Sequence, residues 1–139
     1  MLIDEKKLAA QLREVKTVAV VGAVDKPSRP VDRVAREMMA MGFTVVPVHP
    51  ARDEVWGLET YKSVIDIPFA VDVVDLFRNE TFCPGHAREV LQMKTPPKFF
   101  WMQSGVFSPE AREILAHTDI EVIEDRCLKV ELARLGIRP

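Results

Sequence analysis

Cysteine is scarce in this chain. Two residues, Cys83 and Cys127, stand among 139, too few for a disulfide framework, so both read as reduced thiols. Long apolar runs are missing as well: no stretch approaches the roughly 18 residues that span a bilayer. The opening MLIDEKKLAAQLREV carries too many charges for the apolar segment of a secretion signal. An excess of basic residues is lacking too. Nineteen Lys and Arg meet 21 Asp and Glu, a net charge of −2, which leaves no electrostatic footprint for general nucleic-acid binding. Repeats, low-complexity tracts and linkers are absent. The expectation is a cytoplasmic protein of one domain over residues 1–139, with no membrane or nucleic acid among its partners.

What the sequence does contain is alternation of two periods. Leu8, Leu12 and Val15 recur at helical spacing, so residues 4–15 read as a leading helix. TVAVV, Thr17–Val21, is a β-branched run ended by glycine, as suits a strand buried on both faces of a parallel sheet. Val31, Val34, Ala35, Met38 and Met41 trace one face of a second helix, with Pro30 in its first turn and Gly42 just past its end. Phe43–Val48 is the second strand, and the turn-rich HPARDEVWG follows it. Residues 61–68 read as a short helix-to-loop passage and residues 71–77 as a strand. A helix follows Pro84, marked by Ala87, Val90 and Leu91. Lys98–Met102 is the next strand, and Ser108-Pro109 opens another helix as N-cap and first residue. Glu121–Glu124 is the last strand, and Leu128, Leu132 and Leu135 mark the closing helix. This order predicts an α/β, Rossmann-like, doubly wound fold, a mainly parallel sheet of about five strands flanked by helices. Ligands of such sheets lie beyond the carboxyl ends of the strands.

The first of those ends departs from a dinucleotide loop. Gly22 follows the strand, but Val24 and Pro27 stand where further glycines would let backbone approach a pyrophosphate. The second strand ends in Val48-His49-Pro50, with no carboxylate for the ribose hydroxyls, and Arg52 follows. Lys26, Arg29 and Arg33 add charge near a helix N-terminus, whose N–H groups suit phosphate. The ligand is therefore expected to be more anionic than NAD, with a ribose phosphate as in NADP or coenzyme A. A solvated, charged loop with no ligand is the bland alternative.

VGAVDKPSRPVDRV, VVPVHP, YKSVIDIP, VDLFRN, WMQSGV and DRC, in this order, resemble the small stand-alone CoA-binding proteins. Those are similar to the CoA-binding domain of the succinyl-CoA synthetase α subunit. The resemblance runs from about Val18 to Glu131. It implies a nucleotide-binding, Rossmann-like domain whose cofactor is coenzyme A, or acyl-CoA, held at the strand ends. By the same resemblance Gly22 and Ala23 begin the phosphate loop, with Val24 beside them. Lys26, Arg29, Pro30 and Arg33 continue it. Val48, His49 and Pro50 border the adenine and its ribose phosphate. Phe77 and Arg78 lie near the pantetheine arm. Gln103, Ser104, Gly105 and Val106 form the loop after the tryptophan strand, and Asp125, Arg126 and Cys127 the last element. The family usually has Asn where His49 stands, Ser is common at the place of Val24, and Pro often follows the last element where this chain has Leu128.

Catalytic machinery is not evident. Cys127 sits at an expected helix start beside Arg126, where a thiolate is favoured, and a mixed disulfide with a thiol cofactor is conceivable there. No His–Asp pair accompanies it. Cys83 reads as packing or as exposed before Pro84. His86 falls off the apolar helix face, His117 suits a last helical turn, and neither has metal-ligand spacing. Asp72 and Asp75 fall on opposite strand faces, one of them suited to bracing a loop. Arg78 reads as a brace or a ligand contact, and Phe99–Trp101 as core. The reading is a non-catalytic CoA-binding domain. The alternatives are a short NADP-dependent oxidoreductase, for which no substrate domain is seen, and a ligand-free module docking an unidentified protein partner.

Overall fold

The structure, a computed structural model, describes residues 4–139. The chain runs α1 (Glu5–Leu12), β1 (Thr17–Val21), α2 (Pro30–Ala40) and β2 (Thr44–Val48), then β3 (Glu54–Val55) and β4 (Leu58–Glu59). It continues through β5 (Val73–Leu76), α3 (Cys83–Leu91), β6 (Phe99–Met102), α4 (Pro109–Ile114), β7 (Glu121–Ile123) and α5 (Leu128–Arg134). Single 3-10 turns occupy Val64–Asp66 and Glu80–Phe82. Five strands form one parallel sheet in the order β2-β1-β5-β6-β7. This is the Rossmann-like α/β fold that the alternating pattern predicts.

Strand periodicity divides the core. Val18 and Val20 face one side of β1, where they pack with Leu8 and Leu12 of α1, Val34 and Met38 of α2, and Leu128 and Leu132 of α5. Ala19 and Val21 face the other, with Ala87 and Val90 of α3 and Ala111 of α4. Phe99, Phe100 and Trp101 are fully buried, so the aromatic run is core on both faces. The indole N–H of Trp101 donates to the carbonyl of Arg126 at 2.7 Å, which ties β6 to the segment entering α5. Asp72 accepts from the backbone N–H groups of Lys16 and Thr17 at 2.8 and 3.1 Å; it is the bracing member of the aspartate pair.

Several boundaries differ from expectation. α1 ends at Leu12, short of Val15, which is buried in the following loop. Its N-cap is Asp4, whose carboxylate accepts from Lys6 and Lys7 N–H. α4 ends at Ile114, so His117 lies beyond it. Leu91 is half exposed and does not belong to the packed face of α3. The turn-rich segment after β2 contains an antiparallel hairpin, β3–β4, with Trp56 and Gly57 at its tip, both at positive φ (56° and 72°). Such tips are usually Asn-Gly or Gly-Gly. Trp56 is held there because its indole N–H donates to Asp32 of α2 at 2.8 Å. The hairpin thereby braces the start of α2 and lies beside β2, where Val48 bridges Tyr61.

The two outer strands are blunted. β2 carries Pro47, which offers no N–H. On β7 the carbonyl of Val122 accepts from Arg112 at 3.3 Å.

Gly22 is fixed by packing. It has φ +88°, and a Cβ placed on it would lie 2.4 Å from the carbonyl oxygen of Phe77 and 3.2 Å from Cδ of Arg78. The loop leaving β5 crosses directly over it, held by the N–H of Phe77 on the carbonyl of Val21 at 2.9 Å. Gly22→Ala therefore must displace backbone as well as strain φ. It is expected to lower the unfolding free energy by roughly 2 kcal/mol or more, read by urea denaturation; a loss under 0.5 kcal/mol would show that the crossing is loose.

Candidate functional site

A groove of about 760 Å³ runs over the carboxyl ends of the strands. Its walls are the first turns of α2 and α5, and its floor is made by the loops leaving β1, β5 and β6. Twelve of the residues that the resemblance names line it: Gly22, Val24, Arg29, Pro30, Arg33, His49, Phe77, Arg78, Gln103, Ser104, Val106 and Cys127. Val31, Val34 and Val130 complete the lining. Val31 and Val34 read from sequence only as helix core, and Val130, exposed on α5, breaks the leucine spacing that marks that helix.

The other residues that the resemblance names, Ala23, Lys26, Val48, Pro50, Gly105, Asp125 and Arg126, stand outside the lining. Ala23 and Val48 are buried in the core. The N–H groups of Gly22 and Ala23 both donate to the carbonyl of Val48, at 3.0 and 3.2 Å, so the start of the loop is closed on β2 and unavailable to an anion. Lys26 and Pro50 are exposed, in the loops that follow β1 and β2. Gly105 (φ +81°) gives its N–H to the carboxylate of Asp125 at 2.7 Å. That bond and the turn from Gln103 to Val106 shape the loop after β6.

The DRC element thus has separable tasks. Asp125 shapes the β6 loop and the carbonyl of Arg126 holds Trp101. The guanidinium of Arg126 pairs with Glu131 at 2.7 Å and Glu5 at 3.4 Å, so its charge is spent on carboxylates. Cys127 is the N-cap residue of α5 and lines the groove. Cys83 is buried, and burial pushes its thiol up to about 11; it is an inert packing residue.

Charge distinguishes this groove. Arg29, Arg33 and Arg78 line it, Lys26 is exposed in the loop after β1, and none of the four makes an ion pair among the described residues. Arg52, by contrast, pairs with Asp25 at 3.3 Å. α2 begins at Arg29 and Pro30 with no side-chain cap, so its positive end faces the same space. A second groove of about 770 Å³ lies between α1 and β7. Its cations are matched, Lys7 with Glu121 at 3.1 Å and Arg112 with Glu124 at 2.7 Å. Of these two grooves, the one over the strand ends is lined by cations without an acidic partner among the described residues.

The polar groups there have defined roles. The N–H of Ala51 donates to Nδ1 of His49 at 3.0 Å, so the neutral ring carries its proton on Nε2 and presents a donor. Burial, then Arg52 and Arg78, holds the His49 pKa below its usual value. The Arg78 guanidinium lies 4.1 Å over the ring of Phe82, and its Nε is buried without a partner. Behind it, His86 is mostly buried. Its Nδ1 meets Glu89 at 2.6 Å, its Nε2 has no partner, and Glu89 also accepts from Ser63. Its sequence position suggested a surface residue; the Glu89 contact and the 3-10 turn packed on α3 draw it inward. Burial lowers its pKa, against the opposing pull of Glu89.

Under the floor lies Asp75, on β5 between Val20 and Trp101 in register. It is fully buried, its Oδ1 accepts from Nε2 of Gln103, and its Oδ2 has no partner. Burial pushes its pKa up to about 8, against the lowering effect of the Gln103 bond.

The family model described as CoA binding domain matches residues 16–133. The chain belongs to the CoA binding domain family. A Bacillus subtilis relative, the uncharacterized protein YneT, is 35% identical over 125 residues, covering 87% of this chain and 91% of the relative. A solved Thermus thermophilus structure, cell-free ID.343, superposes with a TM-score of 0.87 at 38% identity, covering 96% of this chain and 99% of that one. An ADP-forming 4-hydroxybutyrate–CoA ligase of Nitrosopumilus maritimus is 38% identical over 72 residues, half of this chain and 10% of the ligase. A CoA binding domain is thus related here to parts of CoA ligases. Among the described residues no helix is long and apolar enough to cross a membrane, and no cluster of metal-ligating side chains occurs.

Asp75 gives this CoA binding domain a measurable pH signature. The folded state keeps the Asp75 proton up to about 8, whereas the unfolded chain releases it near 3.8. Between those values unfolding releases a proton, so raising the pH favours unfolding. Asp75→Asn has no proton to lose. Wild-type stability is expected to fall relative to Asp75→Asn from about pH 4 to about pH 8, by at most about 1.4 kcal/mol per unit, and to level off above. Parallel pH curves in chemical denaturation would show that Asp75 ionises normally.

Proposed function

We propose that this protein binds coenzyme A or an acyl-CoA in the groove over the strand ends, without catalysing a reaction of its own. The observation that carries the reading is the set of arginines, Arg29, Arg33 and Arg78, lining a groove with no carboxylate partners in a chain of the CoA binding domain family. Unpaired cations at the uncapped start of a helix suit the diphosphate and ribose phosphate of such a ligand. His49, with its donor on Nε2, suits the adenosine end. Phe77, Val106, Val130 and Cys127 give the apolar length that a pantetheine arm needs. The N–H groups of Gly22 and Ala23 are engaged elsewhere, so side-chain cations and the first turn of α2 carry the anion. The reading places the protein in the cytoplasm, where CoA is used, and assigns it no nucleic-acid or membrane partner.

Calorimetric titration with CoA, 3′-dephospho-CoA, NADP and NAD tests it. CoA is expected to bind best and to lose affinity when its 3′-phosphate is removed. A preference for NADP would instead favour a short oxidoreductase, and silence toward all four a protein-docking module. Lys26→Ala with Arg29→Ala is expected to weaken CoA binding by about 1–3 kcal/mol, as lost charge-assisted contacts do. Undiminished affinity in that variant would place the anion elsewhere.

A further inference from the structure

Asp75 is a residue that stability alone does not explain. The other buried carboxylates, Asp32 and Glu131, each have arginine partners, Arg36 for the first and Arg126 and Arg134 for the second. Asp75 has none, and sits on an apolar sheet face where an aliphatic residue would avoid its desolvation. Around it are Val20 and Trp101 on the neighbouring strands. Its hydrogen bond comes from Gln103, in the loop after β6. Gln103 is itself buried and lines the groove directly above. With its N–H committed downward to Asp75, the Gln103 carboxamide has its carbonyl oxygen left for the groove.

We propose that Asp75 is a positioning residue for ligand recognition: it holds the Gln103 carboxamide so that the floor of the groove offers a carbonyl oxygen to an N–H of an amide-bearing ligand arm. The inference rests on the CoA reading, since the arm of CoA carries two secondary amides. It names Gln103 as the group that tells an amide-bearing arm from a bare nucleotide. An acceptor at the groove floor that is covered without meeting a donor carries a desolvation cost, so the discrimination is against an arm that covers the floor and lacks that N–H, whereas a ligand with no arm leaves the floor hydrated.

The experiment is a double-mutant cycle read by calorimetry with two probes, CoA and adenosine 3′,5′-bisphosphate, the latter lacking the arm. Gln103→Leu and Asp75→Leu are each expected to weaken CoA binding roughly tenfold, the size of one lost buried hydrogen bond. The double variant should be no weaker than either single one, because Asp75 acts through Gln103. Affinity for adenosine 3′,5′-bisphosphate should stay within about twofold of wild type throughout, and Asp75→Asn, which keeps a carbonyl acceptor, should retain CoA binding within about threefold. Asp75→Val replaces the leucine variant if that one does not fold. Losses that add in the double variant, equal losses for both probes, or full CoA affinity in Asp75→Leu would overturn the proposal while leaving CoA binding intact. Failure of the unaltered protein to bind CoA would overturn both readings.

Discussion

The passage of the Phe77 carbonyl over Gly22 is the constraint from which the rest of the crest follows. Side-by-side pairing of β1 and β5 brings two loops out of the sheet at the same height. They clear one another only because one of them has no side chain at the crossing. That crossing sets where Phe77 and Arg78 enter the groove. It also turns the chain after Gly22 toward β2, where two consecutive N–H groups close on Val48. A glycine after a strand invites reading as a phosphate contact; here its first duty is to let neighbouring backbone through.

The electrostatic character of the groove follows from what the surrounding acids do. Most carboxylates near the crest are engaged with partners of their own. Asp25 pairs with Arg52, Asp32 with Arg36 and Trp56, Asp125 with the Gly105 backbone, and Glu131 with Arg126 and Arg134. A chain slightly acidic overall can therefore present a locally positive cleft. The net charge says nothing of this, because the pairing depends on which side chains the fold brings within reach.

Much of the architecture was legible because it rests on local periodicity. The valine runs of β1 and β5 and the face of α2 follow from side-chain direction alone. Ser108-Pro109 opens α4 through capping chemistry that any sequence carries. Loops after the strand ends could be named from strand order, and many of their residues do meet in one groove. What escaped depends on distant partners. The hairpin tip at Trp56 lacks the usual turn residues and is stabilised by Asp32, 24 positions away. The inward position of His86 depends on Glu89, itself tied to Ser63 across the 3-10 turn. Asp75 was assignable to a strand face, but its link to Gln103 spans 28 positions and joins β5 to the loop after β6. Ala23 and Val48 fell within the motif, yet the sheet draws them into its core.

The blunted rims of the sheet bear on how copies of this chain can meet. Pro47 and the hairpin segment occupy the β2 side, and Arg112 takes the outward carbonyl of Val122 on the β7 side. Neither flank offers a long ladder of vacant amides to a foreign strand. Growth by strand addition is thereby discouraged at both ends.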